Sequence, residues 1–175
     1  MAWHEGIFEL IDMRTFSNLW FWIALAVLWS STSHFVLGVP WDLVQRAARK
    51  RGQAMADMND ITRVNVNRIL FYAEVSGVWL AAITCFALTM LAILGFIYRI
   101  ELCQALFLMG FPISIVGILS IKAAYRIRDN NLMDDPLINQ LRWYRFLFQA
   151  IAMVAIFVTS MWGMFQLFTV SVLNS

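Results

Sequence analysis

Apolar residues fill four stretches of this chain, at about 16–39, 75–98, 102–121 and 146–172, with most of the polar and basic residues gathered between them. A helix needs about 20 mostly apolar residues, rising about 1.5 Å each, to cross about 30 Å of hydrocarbon. All four stretches are long enough. The pattern predicts an all-α integral membrane protein, one domain over residues 1–175, with four transmembrane helices in a bundle. Only Arg99, Ile100 and Glu101 follow Tyr98 before the third stretch, so the second and third spans are expected as a tight antiparallel hairpin. The stretches 40–74 and 122–145 are the two longer loops.

Two shorter pieces have helical periodicity without the length to span. Trp3, Ile7, Leu10 and Ile11 recur at helical spacing beside Glu5, Glu9 and Asp12, which predicts an interfacial helix at the N-terminus. Pro40 opens a second such helix and Gly52 closes it. Its apolar face is Trp41, Leu43, Val44, Ala47 and Ala48. The opposing Arg46, Arg49 and Lys50 are candidates to rest on lipid headgroups.

Composition agrees with the pattern: 61% of residues are hydrophobic, 14% are charged, and mean hydropathy is +0.70. Soluble domains carry roughly a quarter charged residues. Of the 13 Lys and Arg, six lie in 40–74 (Arg46, Arg49, Lys50, Arg51, Arg63, Arg68) and five in 122–145 (Lys122, Arg126, Arg128, Arg142, Arg145). Only Arg14 and Arg99 lie on the other side. Because cytoplasmic loops carry the excess of basic residues, both termini are expected in the periplasm of a bacterial inner membrane. A cleaved secretory signal is disfavoured, since Glu5, Glu9 and Asp12 outnumber Arg14 ahead of the first apolar run. A net charge of +2 without a basic stripe gives no reason to expect nucleic-acid binding.

The first span ends in SSTSHFVLG, a polar string that would be costly facing lipid. Ala26, Ser30, His34 and Gly38 follow one another at i+4, a ridge of small residues on which helices can approach closely. That spacing points the ridge at protein. Further packing ridges are expected at Gly77, Ala81 and Cys85 in the second span, Gly110 and Ser114 around Pro112 in the third, and Thr159 and Gly163 in the fourth. His34 is the one candidate cofactor ligand, for haem or a pigment. The only other histidine, His4, falls about 30 residues earlier and on the other membrane face. No cofactor is otherwise predicted. Cys85 and Cys103 differ in depth by roughly 16 Å in the hairpin, too far for a disulfide. Trp29 and Trp162 lie deeper than the aromatic belts that Trp20, Trp22, Tyr98, Trp41, Trp79, Trp143 and Tyr144 form.

No ionisable residue is forced to the bilayer midplane, which argues against a coupled transporter, and no catalytic constellation is present. DITRVNVNRILFYAE, residues 60–74, is polar on several sides of a helical wheel. Its Arg63, Asn65, Asn67 and Arg68 are the candidate docking surface for a protein partner.

The run FELIDMRTFSNLWFWIALAVLWSSTSHFVLGVPWDLVQRA, with RVNVNRIL and FVTSMWGMFQ, resembles a small family of uncharacterised bacterial four-helix inner-membrane proteins, over nearly the whole chain. Some members carry an automatic label as a component of the SufBCD iron–sulfur assembly complex. That label finds no cysteine cluster here. The expected function is therefore a non-catalytic accessory or assembly subunit of a larger membrane complex, respiratory or photosynthetic, in contact with lipid and other integral membrane subunits. The alternatives are a homo-oligomeric channel or passive transporter lined by Ser30, Ser31, Ser33 and His34, and an electron-transfer subunit using His34.

Overall fold

A computed structural model of the chain describes Phe16 and residues 18–173, with side chains of the last helix described through Thr169. It is all-helical apart from a minimal hairpin. Helix α1 is Leu19–His34, strands β1 and β2 are Phe35–Val36 and Val39–Pro40, and α2 is Trp41–Lys50. Helix α3 runs Gln53–Ala92 and continues through a π-turn, Ile93–Ile97; α4 is Glu101–Asp129 and α5 is Asp134–Leu173. Among the described residues three helical segments are long and apolar enough to cross a membrane: Gln53–Ile97, Glu101–Asp129 and Asp134–Thr169. The interfacial helix expected around Trp3 to Ile11 lies outside the described residues.

The first apolar stretch is not one continuous helix. Helix α1 has 16 residues and rises about 24 Å, short of the hydrocarbon thickness, because the chain turns sharply after His34. Leu37 and Gly38 both have positive φ, +55° and +74°, between the paired residues Val36 and Val39, as a two-residue primed turn requires. Glycine suits the second position, where a Cβ would also come within 3.1 Å of Asn65 Nδ2. Leucine in the left-handed region costs about 1–2 kcal/mol. Burial of the Leu37 side chain, 4% exposed, offsets that by about the same amount.

Pro40 caps α2, and Arg51 and Gly52, again at positive φ, turn the chain into α3. Val44 and Ala47 of α2 are buried while Arg46, Arg49 and Lys50 face outward. The connecting stretches 40–74 and 122–145 are thus mostly helix. Helices α3 and α5, 40 residues each, rise about 60 Å, twice the hydrocarbon thickness.

The core sits at the basic end of these long helices. Val36, Val39, Val44 and Ala47 pack there with Met58, Val66 and Leu70 of α3, Ala123, Ala124 and Ile127 of α4, and Leu137, Leu141, Tyr144 and Phe148 of α5. Burial of apolar surface drives packing in water, and that drive would disappear for a helix among lipid tails; the apolar end is the less buried of the two. A smaller cluster of Phe16, Phe21 and Ala105 holds that end. The α4–α5 turn is pinned to α3 by Asn59, whose Nδ2 donates to Asp134 Oδ1 at 2.9 Å and whose Oδ1 accepts from Asp134 N at 3.2 Å. Arg51 reaches Asp135 at 3.1 Å, and Arg128 bridges α4 to Glu74 of α3 at 2.9 Å.

Candidate functional site

The ridge of small residues on α1 does not face the rest of the chain. Ala26, Ser30 and His34 are exposed, and Gly38 has left the helix for the turn. The buried stripe is Phe21, Leu25 and Trp29, also four residues apart but rotated by about 100°. The partner helix explains the inversion: α5 supplies the small residues, with Ala152, Ala155 and Thr159 buried and Gly163 beneath Phe16, so α1 supplies the large ones. Thr159 satisfies its own hydroxyl by donating to Ala155 O at 2.7 Å.

His34 ends α1 with its side chain 52% exposed. Its Nε2 lies 4.0 Å from Asp42 Oδ1, the Phe35 ring meets it edge-on at 4.8 Å, and Asp42 also pairs with Arg46 at 3.8 Å. Among the described residues no three His, Cys, Asp or Glu side chains converge as metal ligands. His4, the other histidine, lies outside the described residues.

On α3 the ridge of Gly77, Ala81 and Cys85 is left largely uncovered by the described residues. A Cβ on Gly77 would meet no atom within 4 Å, and Ala81 and Cys85 are exposed. The seam with α4 runs instead along the half-buried Ser76, Thr84 and Leu88, and Leu88 Cδ2 would sit 3.5 Å from a Cβ on Gly110. Helix α4 continues through Pro112 without a break; beside it Ser114 donates to Gly110 O at 2.8 Å. Pro112 also lines an apolar cleft of about 410 Å³ between α4 and α5, with Phe107, Phe111 and Val154.

The candidate docking residues separate onto two sides of α3. Arg63 and Asn67 line a groove of about 460 Å³ with Asn59, Asp60 and Arg128, where Arg63 pairs with Asp60 at 3.2 Å. Asn65 and Arg68 line a second groove, about 320 Å³, against the hairpin turn at Leu37 and Gly38 and beside Tyr72. Between them Met55, Met58, Thr62, Val66 and Leu70 form one buried stripe at spacings of three and four. The segment therefore carries one apolar stripe, although its sequence is polar on several sides of a helical wheel. Thr62 had concealed the pattern; buried, it donates to Met58 O at 2.7 Å and behaves as a core residue.

Two features escaped sequence reasoning. The first is a polar knot at the apolar end, centred on Gln104, 2% exposed. Its Nε2 donates to Gly95 O at 2.8 Å, and its Oε1 accepts from Trp162 Nε1 and Gln166 Nε2, each at 2.9 Å. One side chain thereby ties the π-turn to α4 and α5. Gly95 permits the approach, since a Cβ there would lie 2.9 Å from Gln104 N. A glutamine and a glycine nine residues apart across a predicted hairpin were the available signal.

The second is Arg145, whose guanidinium carbon stands 4.2 Å over the Trp41 ring. Its Nη1 is buried without a hydrogen-bond partner, as is Trp29 Nε1. In the sequence Arg145 counted only toward orientation, and Trp41 only toward an aromatic belt and the apolar face of the interfacial helix. No protein-family model, curated protein or solved structure matches the chain.

Proposed function

We propose that this chain is a non-catalytic accessory or assembly subunit of a larger complex in the bacterial inner membrane, respiratory or photosynthetic. It crosses four times, with α1 as the short span and both termini periplasmic. The charge distribution supports the orientation, with basic residues gathered at one end of the long helices. One observation carries the subunit reading: the apolar half of α3 is patterned for packing and left bare. Only 6% of its most apolar stretch is buried, against 22% in α4 and in α5, and there Ala81 and Cys85 are exposed and a Cβ on Gly77 would meet none of the described residues within 4 Å. Small residues let helix backbones approach closely, a pattern that lipid contact does not call for.

Purification from native membranes in mild detergent, followed by mass spectrometry, tests this reading. Another integral membrane protein co-purifying in fixed ratio is the expected result. Recovery of a partnerless homo-oligomer would overturn it, and oxidative crosslinking through the exposed Cys85 identifies that case, since two copies meeting on this face form a disulfide-linked dimer.

The exposure of Ser30, Ser31 and His34 on the outer side of α1 favours a second reading, an oligomeric pore lined by these residues about a symmetry axis. Ion flux in liposomes that His34→Ala abolishes supports it. An electron-transfer role for His34 requires a haem or pigment completed by another chain, and a colourless purified complex excludes it.

A further inference from the structure

Arg68 is an exposed cation on α3, and among the described residues it makes no ion pair. The three carboxylates of its own helix are engaged elsewhere. Asp57 accepts from Gln53 at 2.8 Å, Asp60 pairs with Arg63 at 3.2 Å, and Glu74 pairs with Arg128 at 2.9 Å. Arg68 lies instead in the groove of about 320 Å³ that Asn65, Ile69 and Tyr72 form with the hairpin turn at Leu37 and Gly38. No carboxylate lines that groove, from α3 or from the turn.

The other polar side chains of the groove are free as well. Asn65, Arg68 and Tyr72 follow one another at spacings of three and four, so they share one face of α3, and none of them is hydrogen-bonded among the described residues. Asn65 is half-buried and its amide lies against the turn, where a Cβ on Gly38 would come within 3.1 Å of its Nδ2. Tyr72 is 54% exposed. The groove thus offers incoming ligands a guanidinium, a carboxamide that both donates and accepts, and a phenol. A guanidinium suits phosphate oxygens, and the other two suit hydroxyls. Without a carboxylate the groove has nothing to hold a headgroup ammonium beside Arg68.

We propose that this groove binds the headgroup of an anionic glycerophospholipid with a hydroxylated headgroup, such as phosphatidylglycerol, its phosphate on Arg68 and its hydroxyls on Asn65 and Tyr72. The place of the groove on α3 favours a lipid over a free anion. Arg68 is the last basic residue of α3, and none follows before Arg99. Tyr72, one turn or about 6 Å nearer the apolar stretch, has the amphipathic ring found at headgroup depth. Val75 and Trp79, 63% and 74% exposed, continue the same face at i+7 and i+11 from Arg68 and give acyl chains an apolar track out of the groove. Gly77, nine residues from Arg68, falls about half a turn round the helix, so the lipid and a helix covering the Gly77 stripe occupy different sides. The inference rests on the membrane reading of the chain but not on its role as a subunit.

The experiment is native mass spectrometry of the full chain in detergent, titrated with phosphatidylglycerol or phosphatidylcholine, with and without inorganic phosphate as competitor. One phosphatidylglycerol is expected to bind at least about fivefold more tightly than phosphatidylcholine, the factor that one basic residue contributes toward anionic lipid. Arg68→Gln is expected to remove that preference and Arg68→Lys to keep part of it. Arg63→Gln, in the other groove of α3, is expected to leave it nearly intact. Asn65→Ala keeps the charge and is expected to weaken phosphatidylglycerol several-fold; if Arg68→Gln fails to fold, this variant carries the test. Equal binding of the two lipids, a preference unchanged in Arg68→Gln, or an equal loss in Arg63→Gln overturns the proposal. So does unchanged phosphatidylglycerol binding in Asn65→Ala where Arg68→Gln cannot be read. Displacement of the lipid by an equal concentration of inorganic phosphate also overturns it, since that marks a site for free anions. Release of the chain from native membranes by alkaline carbonate would refute the membrane reading beneath the proposal, an outcome separate from failure of the groove.

Discussion

Replacing Gln104 with leucine removes three hydrogen bonds at once and changes little else in volume. The bonds join Gln104 to Gly95 O at 2.8 Å, Trp162 Nε1 at 2.9 Å and Gln166 Nε2 at 2.9 Å. Hydrogen bonds between membrane helices average about 0.6 kcal/mol and reach about 1.7, so their direct loss is worth roughly 2–5 kcal/mol. Two donors and a carbonyl are then left without their partner beside lipid, which holds the cost above the lower bound, since an orphaned buried group loses about 1–3 kcal/mol. The expected destabilisation of Gln104→Leu is therefore about 3 kcal/mol, read by reversible unfolding in mixed micelles of a denaturing and a mild detergent. A double-mutant cycle with Trp162→Phe isolates one bond and is expected to return a coupling of about 1 kcal/mol. If Gln104→Leu unfolds at the same detergent fraction as the parent chain and the coupling is zero, the knot does not hold the three helices together.

The same measurement checks four glycines whose surroundings differ. Gly95→Ala puts a Cβ 2.9 Å from Gln104 N and 3.2 Å from Cys103 C, both backbone, and is expected to cost about 1–3 kcal/mol as the hairpin opens. At Gly38, φ +74° opposes any side chain, and Asn65 can swing aside, so Gly38→Ala is expected to cost about 1 kcal/mol. Gly163→Leu should destabilise the chain by about 1–3 kcal/mol because Phe16 Cδ1 stands 3.2 Å from the new Cβ. A Cβ on Gly77 meets nothing within 4 Å, so Gly77→Leu is expected to leave the isolated chain unfolding like the parent while its yield in the native complex falls. A chain destabilised by Gly77→Leu in detergent would place that glycine against its own fold.

The helical class, and helices long and apolar enough to cross a membrane, were legible because both follow from long-range composition. Uninterrupted apolar residues over the cores of α3, α4 and α5 leave no other structure able to satisfy the backbone in hydrocarbon. The end of α1 was less legible. Phe35, Val36, Leu37 and Val39 are as apolar as a span, and the turn that ends the helix depends on Leu37 accepting a left-handed backbone, which leucine seldom does. Only tertiary burial of that side chain pays for the turn, and burial is not written in the local sequence. Thr62 hid the stripe on α3 for a related reason, since its hydroxyl is satisfied by its own helix.

Which face of a membrane helix meets protein is a property of two helices jointly. On α1 the small residues Ala26 and Ser30 and the large Phe21, Leu25 and Trp29 have the same i+4 period, so periodicity alone gives two candidate faces. The small residues of α5 decide between them, because a small stripe is filled best by a large one, as Phe16 fills the space above Gly163. Applied to α3, the same rule has a consequence for any partner. Its Gly77, Ala81 and Cys85 present a shallow stripe, and the helix that covers them should carry large side chains at i+4 or i+7 spacing, as α1 does. A second copy packing through its own Gly77 stripe would instead bring two small stripes together in a close backbone crossing. Crosslinking cysteines placed along α3 separates these geometries. A crosslinked register centred on Gly77 and Cys85 marks self-association, whereas crosslinks reaching only a different chain, opposite its large residues, mark the heteromeric subunit.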